Sequence, residues 1–191
     1  MTQKVVVYHF SDTLRLPWIL ESGELRPNPA RIVGLPPHFL WATTSKIGDR
    51  TSSAADPAVL KLWREGELQL VRFVLKAAEF ENWEEAARLS SWTKIETEAL
   101  KKAARHLGEP NTGNWRSRSG PLPISSALRV EAKSYRGGRW VPLHVNRDSC
   151  VTIENKPHFR GIAIGNRVYC AIRKSTPFGF ACEPVRPLAI H

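Results

Sequence analysis

The residues best suited to chemistry fall in three places. Tyr8-His9-Phe10 closes a β-branched run and sets an imidazole between two aromatic rings at a strand end. Residues 39–45 place Trp41 inside a hydroxyl-rich stretch with Thr43 and Thr44, and Arg50 follows in the next loop. Residues 113–119, Gly-Asn-Trp-Arg-Ser-Arg-Ser, form an aromatic-basic segment ahead of a strand carrying Glu131. Around that strand Arg116, Arg118, Arg129, Lys133, Arg136 and Arg139 interleave with Trp115, Tyr135 and Trp140. Cations in such an array track phosphates while aromatic rings stack on bases, so the pattern suits a single-stranded nucleic acid. The plainer alternative is a solvated β-face over core tryptophans.

The elements that must position these groups are read from periodicity and punctuation. The run KVVVYHF over 4–10 predicts a buried strand, and Ser11-Asp12-Thr13 a turn and cap. A short helix follows through Trp18-Ile19-Leu20, with Pro17 near its start and Gly23 past its end. Four prolines make 26–37 a loop, 39–44 a second strand, and Asp56-Pro57 and Gly66 bracket a helix. Residues 68–75 predict a strand and 83–89 a helix. Thr93-Lys94-Ile95-Glu96 is a capping box opening a helix with Ile95, Ala99, Leu100, Ala103 and Leu107 on one face and Gly108 as its stop. Residues 109–126, rich in Gly, Pro, Ser and Arg, predict a long loop. Beyond it 127–133 and 139–145 predict a hairpin around Gly137-Gly138, and 151–154, 161–164, 167–173 and 178–182 further strands.

The chain of 191 residues suits one domain, with a core over 1–145 and a β-rich C-terminal extension over 146–191. Its net charge of +10 is uneven. Residues 1–100 carry 12 Lys+Arg against 13 Asp+Glu, and residues 101–191 carry 16 against 5. Such asymmetry points to a polyanionic partner, nucleic acid before others, with solubility as the alternative explanation. Cys150, Cys170 and Cys182 are odd in number and widely spaced, which argues against a disulfide framework and a zinc site. No apolar run reaches bilayer length, and the N-terminus lacks a signal-peptide pattern, so a cytoplasmic setting is expected. Phosphate loops, dinucleotide fingerprints, His-Glu-x-x-His, nucleophile elbows and zinc-deaminase signatures are all missing, which removes the enzyme classes built on them.

The opening YHFSDTLRLPWILESGEL resembles the start of DarT-type DNA ADP-ribosyltransferases, and FLWATTSKIGDRT resembles their second strand and Arg-bearing loop. Residues 6–142 as a whole look like a family of small bacterial and phage proteins through the words YHF, LWATT, LVRF, Asn114-Trp115, Pro121-Leu122-Pro123, Val130-Glu131 and Trp140-Val141-Pro142. The resemblance implies an α+β fold, a mixed or antiparallel split sheet with flanking helices. It also implies transfer of ADP-ribose from NAD, without a metal, to an acceptor, DNA or RNA before protein, in a toxin or phage-conflict setting. An antitoxin or other protein partner fits that setting.

ADP-ribosyl transfer breaks an N-glycosidic bond through an oxocarbenium-like transition state. By resemblance His9 and Arg50 would orient NAD, with Tyr8, Phe10, Trp41, Thr43 and Thr44 lining its pocket. Glu131 would be the catalytic carboxylate, with Glu154 in reserve. Trp115, Arg116, Arg118, Arg136 and Arg139 would meet nucleic acid. Each has a plainer role: His9 and Trp41 as core, Thr43 and Thr44 as strand ends, Arg50 as a solvated loop cation, Glu131 as an outward hairpin residue. The readings beside the enzyme are a non-catalytic basic nucleic-acid-binding module of the same fold, and a protein-directed transferase or inhibitor that docks an acidic protein.

Overall fold

The computed structural model describes residues 5–27, 39–49, 56–109, 111–152, 156–176 and 179–185. The first strand is β1 (Val6–Asp12), which runs two residues past its expected end. Ser11 and Asp12 pair in the ladder, and Asp12 still caps the turn by accepting from the Leu14 and Arg15 amides, both at 3.0 Å. Helix α1 (Leu16–Ser22) has Pro17 in its first turn and ends at Gly23, whose φ of 72° is the left-handed value glycine tolerates. Then come β2 (Glu24–Leu25), β3 (Phe39–Thr43), α2 (Pro57–Glu65) and β4 (Leu70–Lys76). Asp56 caps α2 by accepting from the Ala58 amide at 2.7 Å.

The chain continues through β5 (Glu81–Asn82), α3 (Trp83–Leu89) and α4 (Lys94–His106), the last opened by the reciprocal Thr93/Glu96 capping box. Residues 109–126 are not a long loop. They contain β6 (Trp115–Ser119) and β7 (Leu122–Pro123). The inward positions of β6 are Trp115 and Ser117, a polar alternation that conceals a strand. The expected hairpin is present as β8 (Arg129–Lys133) and β9 (Val141–Pro142). The C-terminal part gives β10 (Cys150–Val151), β11 (Phe159–Ile164), β12 (Arg167–Thr176) and β13 (Gly179–Val185).

The fold is α+β. Among the described residues every strand pairing is antiparallel, so no parallel pairing makes the sheet mixed. The main sheet has the order β5-β6-β3-β1-β4-β8-β9, a second has β10-β11-β12-β13, and β2 pairs with β7. All of β1 pairs with β4, from Val6↔Lys76 to Asp12↔Leu70, whereas β1 meets β3 through Tyr8↔Thr43 alone.

One face of the main sheet, with Val7, Leu40, Ala42, Val71, Phe73 and Leu75, buries itself against Leu16 and Leu20 of α1. Ile162 and Tyr169 of the C-terminal sheet join the same core. The opposite face is covered over β3 and β6 by α3 and α4, through Phe39, Trp83, Ala86, Ala87, Ala104 and Trp115. Helix α4 does not bury the expected apolar stripe. Ala104 is its buried residue and Leu100 is half-buried, while Ile95 is 83% exposed and Ala99, Ala103 and Leu107 are also exposed. Leu100 and Ala104 are four apart and define a narrower seam, turned from the 95–99–103–107 line.

Candidate functional site

Side chains alternate across a strand, so register decides which groups share a face. One row crosses the sheet as Phe10↔Arg72↔Glu131↔Pro142. The adjoining row is His9↔Phe73↔Val130. Glu131 and His9 therefore belong to rows of opposite face. Tyr8, Phe10, Trp41 and Thr43 share the face of Arg72 and Glu131.

Arg72 is the centre of that face. Its Nε donates to Glu131 Oε2 at 2.5 Å, Nη1 donates to the Lys46 carbonyl in the loop after β3, and Arg129 Nε donates to Glu131 Oε1 at 2.8 Å. The Arg72 and Glu131 side chains are each 10% exposed. The guanidinium lies 4.8 Å from the Tyr8 ring centroid and 4.4 Å from that of Trp140, so two aromatic faces flank it. Burial acts to raise the Glu131 carboxyl, but hydrogen bonds from Arg129 and Arg72 and their charges outweigh it, and the net shift is downward. Glu131 is thus a buried, twice-paired anion and not an outward hairpin residue. A lone cation in the apolar run LQLVRFVL is the sequence signal for Arg72, a residue not among the expected site residues.

His9 Nδ1 lies 2.8 Å from the Trp41 carbonyl oxygen. A carbonyl can only accept, so Nδ1 carries the proton; in the neutral ring Nε2 is then the acceptor, with no partner among the described residues. Burial lowers the His9 pKa, opposed in part by this hydrogen bond. The ring thereby bridges β1 to β3 beside their single pairing.

On β3, Trp41 is half-buried in an aromatic cluster, its ring centroid 5.6 Å from Phe39, 6.3 Å from Trp83 and 5.9 Å from Trp115. The indole N–H groups of Trp83, Trp92 and Trp115 and the Ser117 hydroxyl are buried there without a hydrogen-bond partner among the described residues. Thr43 Oγ1 accepts from the Ser45 amide at 3.1 Å, and Thr44 Oγ1 donates to Asn114 Oδ1 at 3.0 Å. Tyr8 and Phe10 are buried and pack with Val74. Arg50 and Glu154 lie outside the described residues.

The basic-aromatic residues divide in two. Trp115 is buried in the aromatic cluster. Arg118 is ion-paired with Glu79 at 3.0 Å and donates to the Pro121 carbonyl. Arg116 Nη1 donates to the Gly113 and Trp115 carbonyls at 2.8 and 2.7 Å. Arg136 and Arg139 are exposed, with no acidic partner among the described residues.

Among the described residues no group of three or more His, Cys, Asp or Glu is placed to hold a metal ion, and no helix is long and apolar enough to cross a membrane. The three cysteines are free thiols, and burial pushes the Cys182 thiol up to about 11. No family model, no curated protein and no solved structure matches this chain.

Proposed function

We propose that the protein is an ADP-ribosyltransferase-like enzyme that transfers ADP-ribose from NAD to a nucleic acid, in the cytoplasm, as a toxin or phage-conflict protein. The observation that carries this reading is the single pairing Tyr8↔Thr43 between β1 and β3, with the His9 ring spanning the two strands beside it. NAD would meet the chain there. Nε2 of His9 is an acceptor with no partner among the described residues, suited to a ribose hydroxyl. Glu131, kept ionised by two arginines, suits steadying an oxocarbenium ion better than accepting a proton.

A second reading, a non-catalytic nucleic-acid-binding module, is favoured by two observations. Both Glu131 oxygens are engaged, and His9 lies in a row of the opposite face. Labelled NAD incubated with single-stranded DNA, RNA and cell lysate separates the two, run beside His9→Ala and Glu131→Gln. The enzyme predicts label on an acceptor that both variants lose. Absence of transfer and of nicotinamide release from the wild-type protein, with oligonucleotide binding intact, leaves the module.

A further inference from the structure

The β8–β9 hairpin carries an aromatic and cationic surface of which Tyr135, Arg136 and Arg139 stay exposed. Residues 132–147 contain four Lys+Arg and no acid. The turn is built tightly: Ser134 Oγ accepts from the Gly137 amide at 3.0 Å, the Gly138 amide donates to the Ser134 carbonyl, and Gly138 has a φ of 65° that suits glycine. Both ends are anchored. Trp63 Nε1 of α2 donates to the Lys133 carbonyl at 2.9 Å, and Trp140 lies against Arg72 and Phe10. Tyr135 stands on this base, its ring edge-on to Trp63 with centroids 5.1 Å apart, yet 51% exposed. Arg136 and Arg139 flank it, exposed and without an acidic partner among the described residues.

We infer that this hairpin, residues 133–140, and not segment 113–119, is the element that docks a single-stranded nucleic acid, with Tyr135 stacking on a base and Arg136 and Arg139 holding phosphates. The inference rests on the reading of nucleic acid as the partner. An exposed ring held firm by a second ring offers a stacking surface at little ordering cost, and it takes a base that is not already stacked in a duplex. An acidic peptide would use the cations but leave the ring idle. In segment 113–119 the aromatic is buried and Arg118 is neutralised by Glu79.

Fluorescence anisotropy of the full chain with a labelled single-stranded DNA and an RNA of equal length, over a salt series, tests this. Tyr135→Ala is expected to weaken binding about five- to hundred-fold with the salt slope unchanged. Arg136→Gln/Arg139→Gln is expected to weaken it and to lower the log–log salt slope by about 1.4, or 0.7 for each phosphate contact on a single strand. All these positions are exposed, and circular dichroism checks that the variants fold. Hairpin variants that bind as the wild type does, while Arg116→Gln/Arg118→Gln binds weakly, would place the contact at 113–119 and overturn the inference while keeping the nucleic-acid reading. No binding of either oligonucleotide by the wild type at low salt overturns both, and tight capture of an acidic protein in its place would identify a protein partner. Loss of NAD transfer alone bears on the enzyme reading and not on the hairpin.

Discussion

Replacing Arg72 by methionine keeps length and apolar volume but leaves Glu131 ionised at a buried position with one remaining partner. Removing one member of a buried ion pair costs about 3–5 kcal/mol. Arg129 stays bonded to Oε1 at 2.8 Å, though half-exposed, and this holds the loss near the lower end, about 3 kcal/mol. For a chain of this size that corresponds to a fall in Tm of about 6–12 °C. The measurement is urea and thermal unfolding followed by circular dichroism. Arg72→Met/Glu131→Leu removes both buried charges and is expected to lose less than Arg72→Met alone, because the dominant cost is the stranded carboxylate. The Glu131 pKa is depressed in the folded state, so its ionised form stabilises above the ordinary value of 4.5 and that contribution fades as pH falls through the lower folded value. The gap between wild type and Arg72→Met should therefore narrow in the acid range. A loss under 1 kcal/mol for Arg72→Met, or a double variant that loses the sum of the singles, would refute the account of Arg72 as the clamp of this face.

Two further outcomes are expected. The His9 pKa is lowered from 6.5 by burial, so below that value the unfolded chain binds the extra proton and folding weakens as pH falls. The unfolding midpoint of His9→Gln, whose amide still reaches for the Trp41 carbonyl, should fall less than that of wild type between pH 7 and 5; parallel curves would contradict a half-buried ring held neutral. Ser117→Ala removes a fully buried hydroxyl that has no partner among the described residues, and it should leave stability unchanged or raise it by about 1 kcal/mol in urea unfolding. A clear loss would mean that the hydroxyl has an acceptor, such as a water in the aromatic cluster.

Local chemistry was legible. The caps of α2 and α4, the αL stop of α1 and the Gly137-Gly138 turn are each written in neighbouring residues, because caps and turns involve groups only two to five positions apart. Strand β6 was not legible: its buried positions are Trp115 and Ser117, and pairing with β3 gives that stretch its strand character. The seam of α4 was misread because periodicity gives a stripe but not the width that a neighbour covers, and α3 and β6 leave Ile95 in solvent.

The candidate site shows the same division. Sequence singled out His9, Trp41 and Glu131 as residues and placed the cations among aromatics in the second half of the chain. It did not say that Glu131 is sealed by Arg72, 59 positions away, nor that His9 faces the other way. Those facts depend on the register of β4 between β1 and β8, where a slip of one residue would turn every side chain to the opposite face. Residue types set which interactions the chain can make; the cross-strand ladder, fixed by burial of both sheet faces at once, decided which cations are spent on internal partners and which remain at the surface.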